Sequence, residues 1–197
     1  MTDDRSLLPR TVLWRRIDVE GLDACHYGRS ESGYEISGTA IYLEGNEPAN
    51  FTYRISCGTD WSSNSAWVTG RLGATEKNIK LSRDASGEWA FNDESVAGLN
   101  GLLDIDLGFT PATNTNAIKR LGLSIGEEVE TTAVWLDTGD WCIKPLRQVY
   151  QRLSDTEFVY RSPSHDYSAK LTTDDFGIVR EYPGLWTAVS PRGSYAG

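Results

Sequence analysis

Apolar and polar positions alternate along almost the whole chain, in short runs that recur about every 8–12 residues, the spacing of an all-β protein. The clearest run sets Phe51, Tyr53, Ile55 and Cys57 against Thr52, Arg54 and Ser56. Side chains point to opposite faces at successive steps of a strand, so this run predicts a strand buried on one side. Similar runs cover 12–18, 22–29, 66–72, 79–83 and 88–92, the last two joined by a hairpin turn at 84–87. Tyr34, Ile36, Ala40 and Tyr42 share a parity across Gly38, where a bend or bulge is expected. After a polar crossing segment at 93–100, alternation resumes in Val129, Thr131, Ala133 and Trp135. It continues over 142–153 and 157–161, which pair around Ser154-Asp155, then over 167–172 and 178–182, with Pro183-Gly184 turning Trp186 back.

Between the two halves lies LLDIDLGFTPATNTNAIKRL, residues 102–121. A strand here puts Leu103, Ile105 and Leu107 on one face and Asp104 with Asp106 on the other. Gly108 and Pro111 break the pairing, and the following residues form the one segment with a helical signature. Thr113 or Thr115 is its expected cap, Ile118 and Leu121 share a side, and Gly122 closes it in the left-handed conformation. Lys119 and Arg120 fall at the negative end of its dipole.

Roughly a dozen strands with one short helix cannot remain a flat sheet, because strand twist curls a sheet of that width. The expected fold is therefore all-β: a single long, strongly bent antiparallel sheet, a half-barrel or rolled sheet, with a concave face. One β domain is expected over 11–189, after a disordered segment at 1–10 and before a flexible tail at 190–197. Seven Trp and nine Tyr suit wide sheet faces and cavities. A net charge of −9 argues against nucleic acid and against docking on anionic lipid. No run of apolar residues is long enough to span a membrane. The acidic start, MTDDRSLLPR, is unlike a signal peptide, so a cytoplasmic location is expected. Cys25, Cys57 and Cys142 are widely spaced among apolar or aromatic residues and read as thiols in the core.

Four segments carry a resemblance to a known family: WRRID at 14–18, DIDLGFTPATNTNAIKRLGL at 104–123, QVYQR at 148–152 and DDFGIVREYPGLW at 174–186. In order and over nearly the whole chain they resemble the glycolipid-binding family, first described as a domain of unknown function. The chain departs from that pattern at Asn116-Ala117, where the family more usually has Leu-Pro. The resemblance implies a long antiparallel sheet bent around a short helical segment, an architecture similar to periplasmic lipoprotein carriers and mycobacterial lipid-binding proteins. It further implies an amphiphilic ligand, a lipid or glycolipid. Asp104, Asp106, Arg120 and Gln148 would then form a polar patch near the opening, with Arg16 of the WRRID segment. Trp14, Tyr150, Tyr182 and Trp186 would supply apolar or stacking surface.

Burying about twelve methylenes yields about 10 kcal/mol, whereas association costs on the order of 4–15 kcal/mol. A carrier of this kind therefore needs room for a long chain or two, with sugar contacts setting orientation. Asp104 and Asp106 admit a second use. Carboxylates two apart on a strand lie about 6–7 Å apart, within the general range of glycoside hydrolases. A hydrolase acting on sugar-containing amphiphiles is therefore the alternative, against the simpler pairing of these acids with Arg15, Arg16, Lys119 or Arg120. An unliganded interaction module is the third reading. The match of Gly122–Gly126 to a nucleophile elbow around Ser124 lacks the strand-then-helix order that motif needs. Cys25-His26 point to opposite sides of a strand, and no spaced ligand set accompanies them, so neither metal nor cofactor is expected.

Overall fold

The computed structural model describes residues 8–189. The expected tail lies outside them, as does most of the expected leading segment; its last residue, Arg10, already belongs to a strand. The first half of the chain gives β1 (Arg10–Arg16), β2 (Gly21–Ser30), β3 (Gly33–Glu44), β4 (Glu47–Cys57), β5 (Ser63–Leu72), β6 (Thr75–Arg83), β7 (Trp89–Phe91) and β8 (Glu94–Ser95). Then come β9 (Asp104–Leu107), helix α1 (Ala112–Leu121), β10 (Glu128–Asp137), β11 (Cys142–Arg152), β12 (Glu157–Ser162), β13 (Tyr167–Thr173), β14 (Val179–Tyr182) and β15 (Trp186–Ala188). All fifteen strands join one sheet, in the order β8-β7-β6-β5-β4-β3-β2-β1-β15-β14-β13-β12-β11-β10-β9. The chain walks outward from β1 to β8, crosses over, and walks back from β9 until β15 pairs with β1.

The sheet is bent, as a ribbon of this width must be. It is antiparallel except at one place: β9 and β10 run parallel. A parallel pair needs a crossover connection, and α1 is that connection. This is why the helix lies inside the curve of the sheet. Ala112 to Ile118 are all buried there. Its capping differs from expectation. Thr113 and Thr115 lie within the helix, Pro111 is the N-cap, and Thr110 Oγ1 accepts the Ala112 amide at 3.1 Å. Gly122 closes the helix at φ 56°, in the left-handed conformation, its N–H donating to the Ile118 carbonyl.

A helix carrying Thr113, Asn114, Thr115 and Asn116 into a core must bring hydrogen-bond partners with it, since each orphaned polar group costs about 1–3 kcal/mol. The phenols of the sheet are those partners. Tyr27 Oη meets Thr115 Oγ1 at 3.0 Å and donates to the Ala112 carbonyl at 3.1 Å. Asn114 Nδ2 donates to Tyr150 Oη at 2.9 Å, and Asn116 Nδ2 to Ser63 Oγ at 3.2 Å. Asn116 Oδ1 has no partner among the described residues. The hollow expected at the centre of the roll is therefore filled by a polar helix and by rings such as Trp14, Tyr27, Phe51, Tyr53 and Phe109.

The two ends of the sheet meet without closing a barrel. Ser63 N on β5 donates to the Leu103 carbonyl at 2.7 Å, and Ser63 Oγ accepts the Ile105 amide at 3.2 Å. Trp141, in the turn after β10, packs on Phe51 of β4 at 4.7 Å. Both faces of β9 are consequently covered: Asp104 and Ile105 are each 1% exposed.

Candidate functional site

Residues paired across a strand ladder share a face, so the registers decide what looks inward. Trp135 lies opposite Asp106, Tyr160 opposite Tyr150, Tyr167 opposite Ser162, and Trp186 opposite both Tyr182 and Arg16. They form a band across the inner side of β9–β15 and β1. Part of this band opens to solvent as a cleft of about 260 Å³, lined by Asp106, Gly108, Trp135, Leu146, Tyr160, Ser162, His165, Tyr167, Tyr182 and Leu185. Gly108 is needed there: a Cβ would stand 2.8 Å from Trp135 Nε1, so only glycine lets the indole lie across the backbone.

Gln148 is the organising residue beneath the cleft. It is buried, and its Nε2 donates to Asp106 Oδ2 at 2.6 Å and to Tyr160 Oη at 3.1 Å. Burial pushes the Asp106 carboxyl up to about 6; the Gln148 bond opposes that and the nearby Asp104 charge adds to it. Tyr160, Tyr167 and Tyr182 form a ring cluster with centroids 6.0 to 6.3 Å apart, and Tyr150 packs edge-on to Tyr160 at 5.2 Å. At the rim, Ser162 Oγ meets His165 Nδ1 at 3.0 Å, and the imidazole packs edge-on to Trp135.

The structure separates the expected site residues into four groups. Asp106 and Tyr182 line the cleft, with Gln148 and Tyr150 directly beneath. Trp186 adjoins Tyr182 in register, and Arg16 lies over Trp186 at 5.5 Å while pairing with Asp18 at 2.9 Å. Trp14 is fully buried, its indole N–H donating to the Val179 carbonyl at 2.7 Å. Asp104 and Arg120 stand apart: the guanidinium holds both carboxylate oxygens, at 2.7 and 2.6 Å. Arg120 faces a different hollow, beside Leu103 and Glu130. Two open carboxylates therefore do not confront each other across a substrate. Ser124 lies in the turn after α1, its amide donating to Glu127, and His165 is elsewhere, beside Ser162.

Tyr160, Tyr167 and His165 escaped the sequence reading as site residues, and Trp135 entered it only as one of seven Trp suited to wide sheet faces and cavities. The alternation placed them on strands or turns, but only the registers show that they share a face with Asp106 and Gln148. A broader hollow of about 780 Å³ lies on the convex side, against Thr11, Leu13, Ala24 and His26. It gathers no buried polar side chain, whereas ligand sites combine an apolar wall with a few convergent polar groups. No group of three or more potential metal ligands occurs among the described residues. No helix among them is long and apolar enough to cross a membrane.

The model of one protein family, described as "Putative glycolipid-binding", matches residues 11–188. Among solved structures, a DUF1089 family protein from Pseudomonas aeruginosa is 27% identical, over 86% of this chain and 92% of that one, with a TM-score of 0.76. A beta-barrel-like protein of the DUF1849 group from Brucella abortus is 10% identical, over 92% of this chain and 96% of that one, with a TM-score of 0.49. No curated protein matches the chain.

Proposed function

The chain belongs to this glycolipid-binding family, and from that premise we propose that it holds the polar head of an amphiphile, a glycolipid, in the cleft beside Asp106. The observation that carries the reading is convergence. One open cleft joins a carboxylate, the amide that orients it, three phenols and an indole. Rings of this kind stack on sugar faces, and the carboxylate accepts hydrogen bonds from hydroxyls.

Size limits what the cleft takes. Its 260 Å³ falls just below the roughly 300–1,000 Å³ of pockets for drug-sized ligands. That suits a single head group. The acyl chain is expected to leave past Leu185 and the exposed Ile17, whose amide donates to the Leu185 carbonyl at 2.9 Å. A chain left outside contributes little of the methylene burial that would drive tight binding, so affinity should be modest and selectivity should come from the head. The hydrolase alternative is weaker, because Asp104 is occupied by Arg120.

Titrating the delipidated protein with octyl glucoside and following backbone amide shifts tests the reading. Shifts should cluster at Asp106, Ser162, His165 and Tyr167. Shifts confined to the convex hollow near Leu13 and His26 would refute it. Native mass spectrometry of protein from its own cells should reveal a co-purified amphiphile.

A further inference from the structure

Asp104 and Asp106 share a strand face, yet among the described residues only Asp104 is paired with a cation. Among the described residues the hydrogen bond to Asp106 comes from Gln148, a neutral amide, and no Lys or Arg lines the cleft. A carboxylate held in a partly buried wall without a counter-ion is costly unless a ligand brings one. Opposite it, Tyr160, Tyr167 and Tyr182 make a three-sided cup. Their centroids are 6.3, 6.0 and 6.2 Å apart and their planes are inclined by 59°, 67° and 44°. Aromatic faces carry negative potential and attract cations. Gln148 ties the two halves together by bonding both Asp106 and Tyr160. A net charge of −9 adds a long-range field of the same sign.

Resting on the head-group reading above, we propose that the head held in this cleft carries an ammonium group, seated on the Tyr160–Tyr167–Tyr182 cup with Asp106 as its counter-ion. An amino sugar and a quaternary ammonium head share that chemistry. Phosphate and sulfate heads are disfavoured, because their charge would meet Asp106 with no Lys or Arg on the wall.

The test compares octyl amphiphiles below their micelle concentrations by calorimetry: octyl glucoside, octyl 2-amino-2-deoxyglucoside, octyltrimethylammonium and octyl sulfate. At least one ammonium probe should bind about tenfold tighter than octyl glucoside, and octyl sulfate should bind most weakly. Which ammonium probe wins identifies the primary or the quaternary source. Asp106→Asn removes one of 28 acidic side chains from a chain of net charge −9, so general attraction of cations hardly changes, but the ammonium preference should collapse. Tyr167→Leu keeps apolar bulk without a ring face, and should lower affinity for the ammonium probes by a larger factor than affinity for octyl glucoside.

If octyl glucoside binds as tightly as both ammonium probes, the ammonium assignment falls and the head-group reading stands. If a full preference survives in Asp106→Asn, the attraction is non-specific and the assignment again falls. If none of the four binds, both readings fall together.

Discussion

Asp104 and Asp106 sit two residues apart on one face of β9 and meet opposite surroundings. Arg120 grips Asp104 with two charge-assisted bonds, so Asp104→Asn should strand a half-buried guanidinium and cost about 3–5 kcal/mol, read as a lowered urea midpoint. Asp106 pays for its place instead, since burial lifts its carboxyl to about 6. Asp23 does the same: it is fully buried beneath the start of α1, accepts bonds from Tyr53 and Thr110, and is pushed up to about 6 by burial. A carboxyl whose folded pKa exceeds its unfolded value binds protons more tightly when folded. Its stabilising contribution is full below the ordinary value near 4 and is lost as pH rises through about 6. Asp106→Asn should therefore be more stable than the parent at pH 8, and lose that advantage at pH 4. The pH dependence of the stability difference between parent and variant, from urea titrations, checks this. Gly108→Ala should displace Trp135 and weaken octyl glucoside binding several-fold with little loss of stability, a split that calorimetry and melting together would show.

Helix α1 is the element whose position sequence patterns reveal least. Gly122 closes it as expected, but it starts at Pro111 rather than at Thr113 or Thr115, and no periodicity in four consecutive polar residues shows that all four are buried. The crossover between parallel strands draws it inside, and the phenols supply what its polar side chains need. Gly122→Ala would meet open space rather than a clash, its nearest neighbour being the Lys119 carbonyl at 3.9 Å. The cost should thus be the left-handed backbone alone, about 1 kcal/mol, measured as a shift in the unfolding midpoint. Strand register is the second thing hidden. A two-residue turn at Ser154-Asp155 would pair Tyr150 with Val159 and aim Tyr160 outward. The wider connection pairs Tyr150 with Tyr160 instead, and so completes the cleft.

Across the whole molecule, stability depends on how the two ends of an unclosed sheet are held together. Ser63 is the stitch: its amide reaches Leu103, and its hydroxyl accepts from both Ile105 and Asn116. Ser63→Ala would leave two buried donors without an acceptor, at about 2 kcal/mol or more. Hydrogen exchange should quicken first at the Ile105 amide, ahead of the β2–β4 amides. The same overlap of ends, with α1 inside, fills the interior, and on the reading proposed above a head group would enter the cleft while the rest of the lipid stays outside.

What the chain determined by itself is its strand content, its single helix and the bending that follows. The pleat repeats every two residues, so alternation records local geometry without reference to any partner. The family segments also brought Asp106, Gln148, Tyr150 and Tyr182 forward before any fold was known. Only the tertiary structure decided that Arg120 belongs to Asp104, that the centre of the roll is filled, and that Tyr160, Tyr167 and Trp135 join the cleft. Those outcomes depend on which strand lies beside which and in what register, over separations of tens of residues, and an ion pair or a shared face between such residues leaves no periodic mark in either segment.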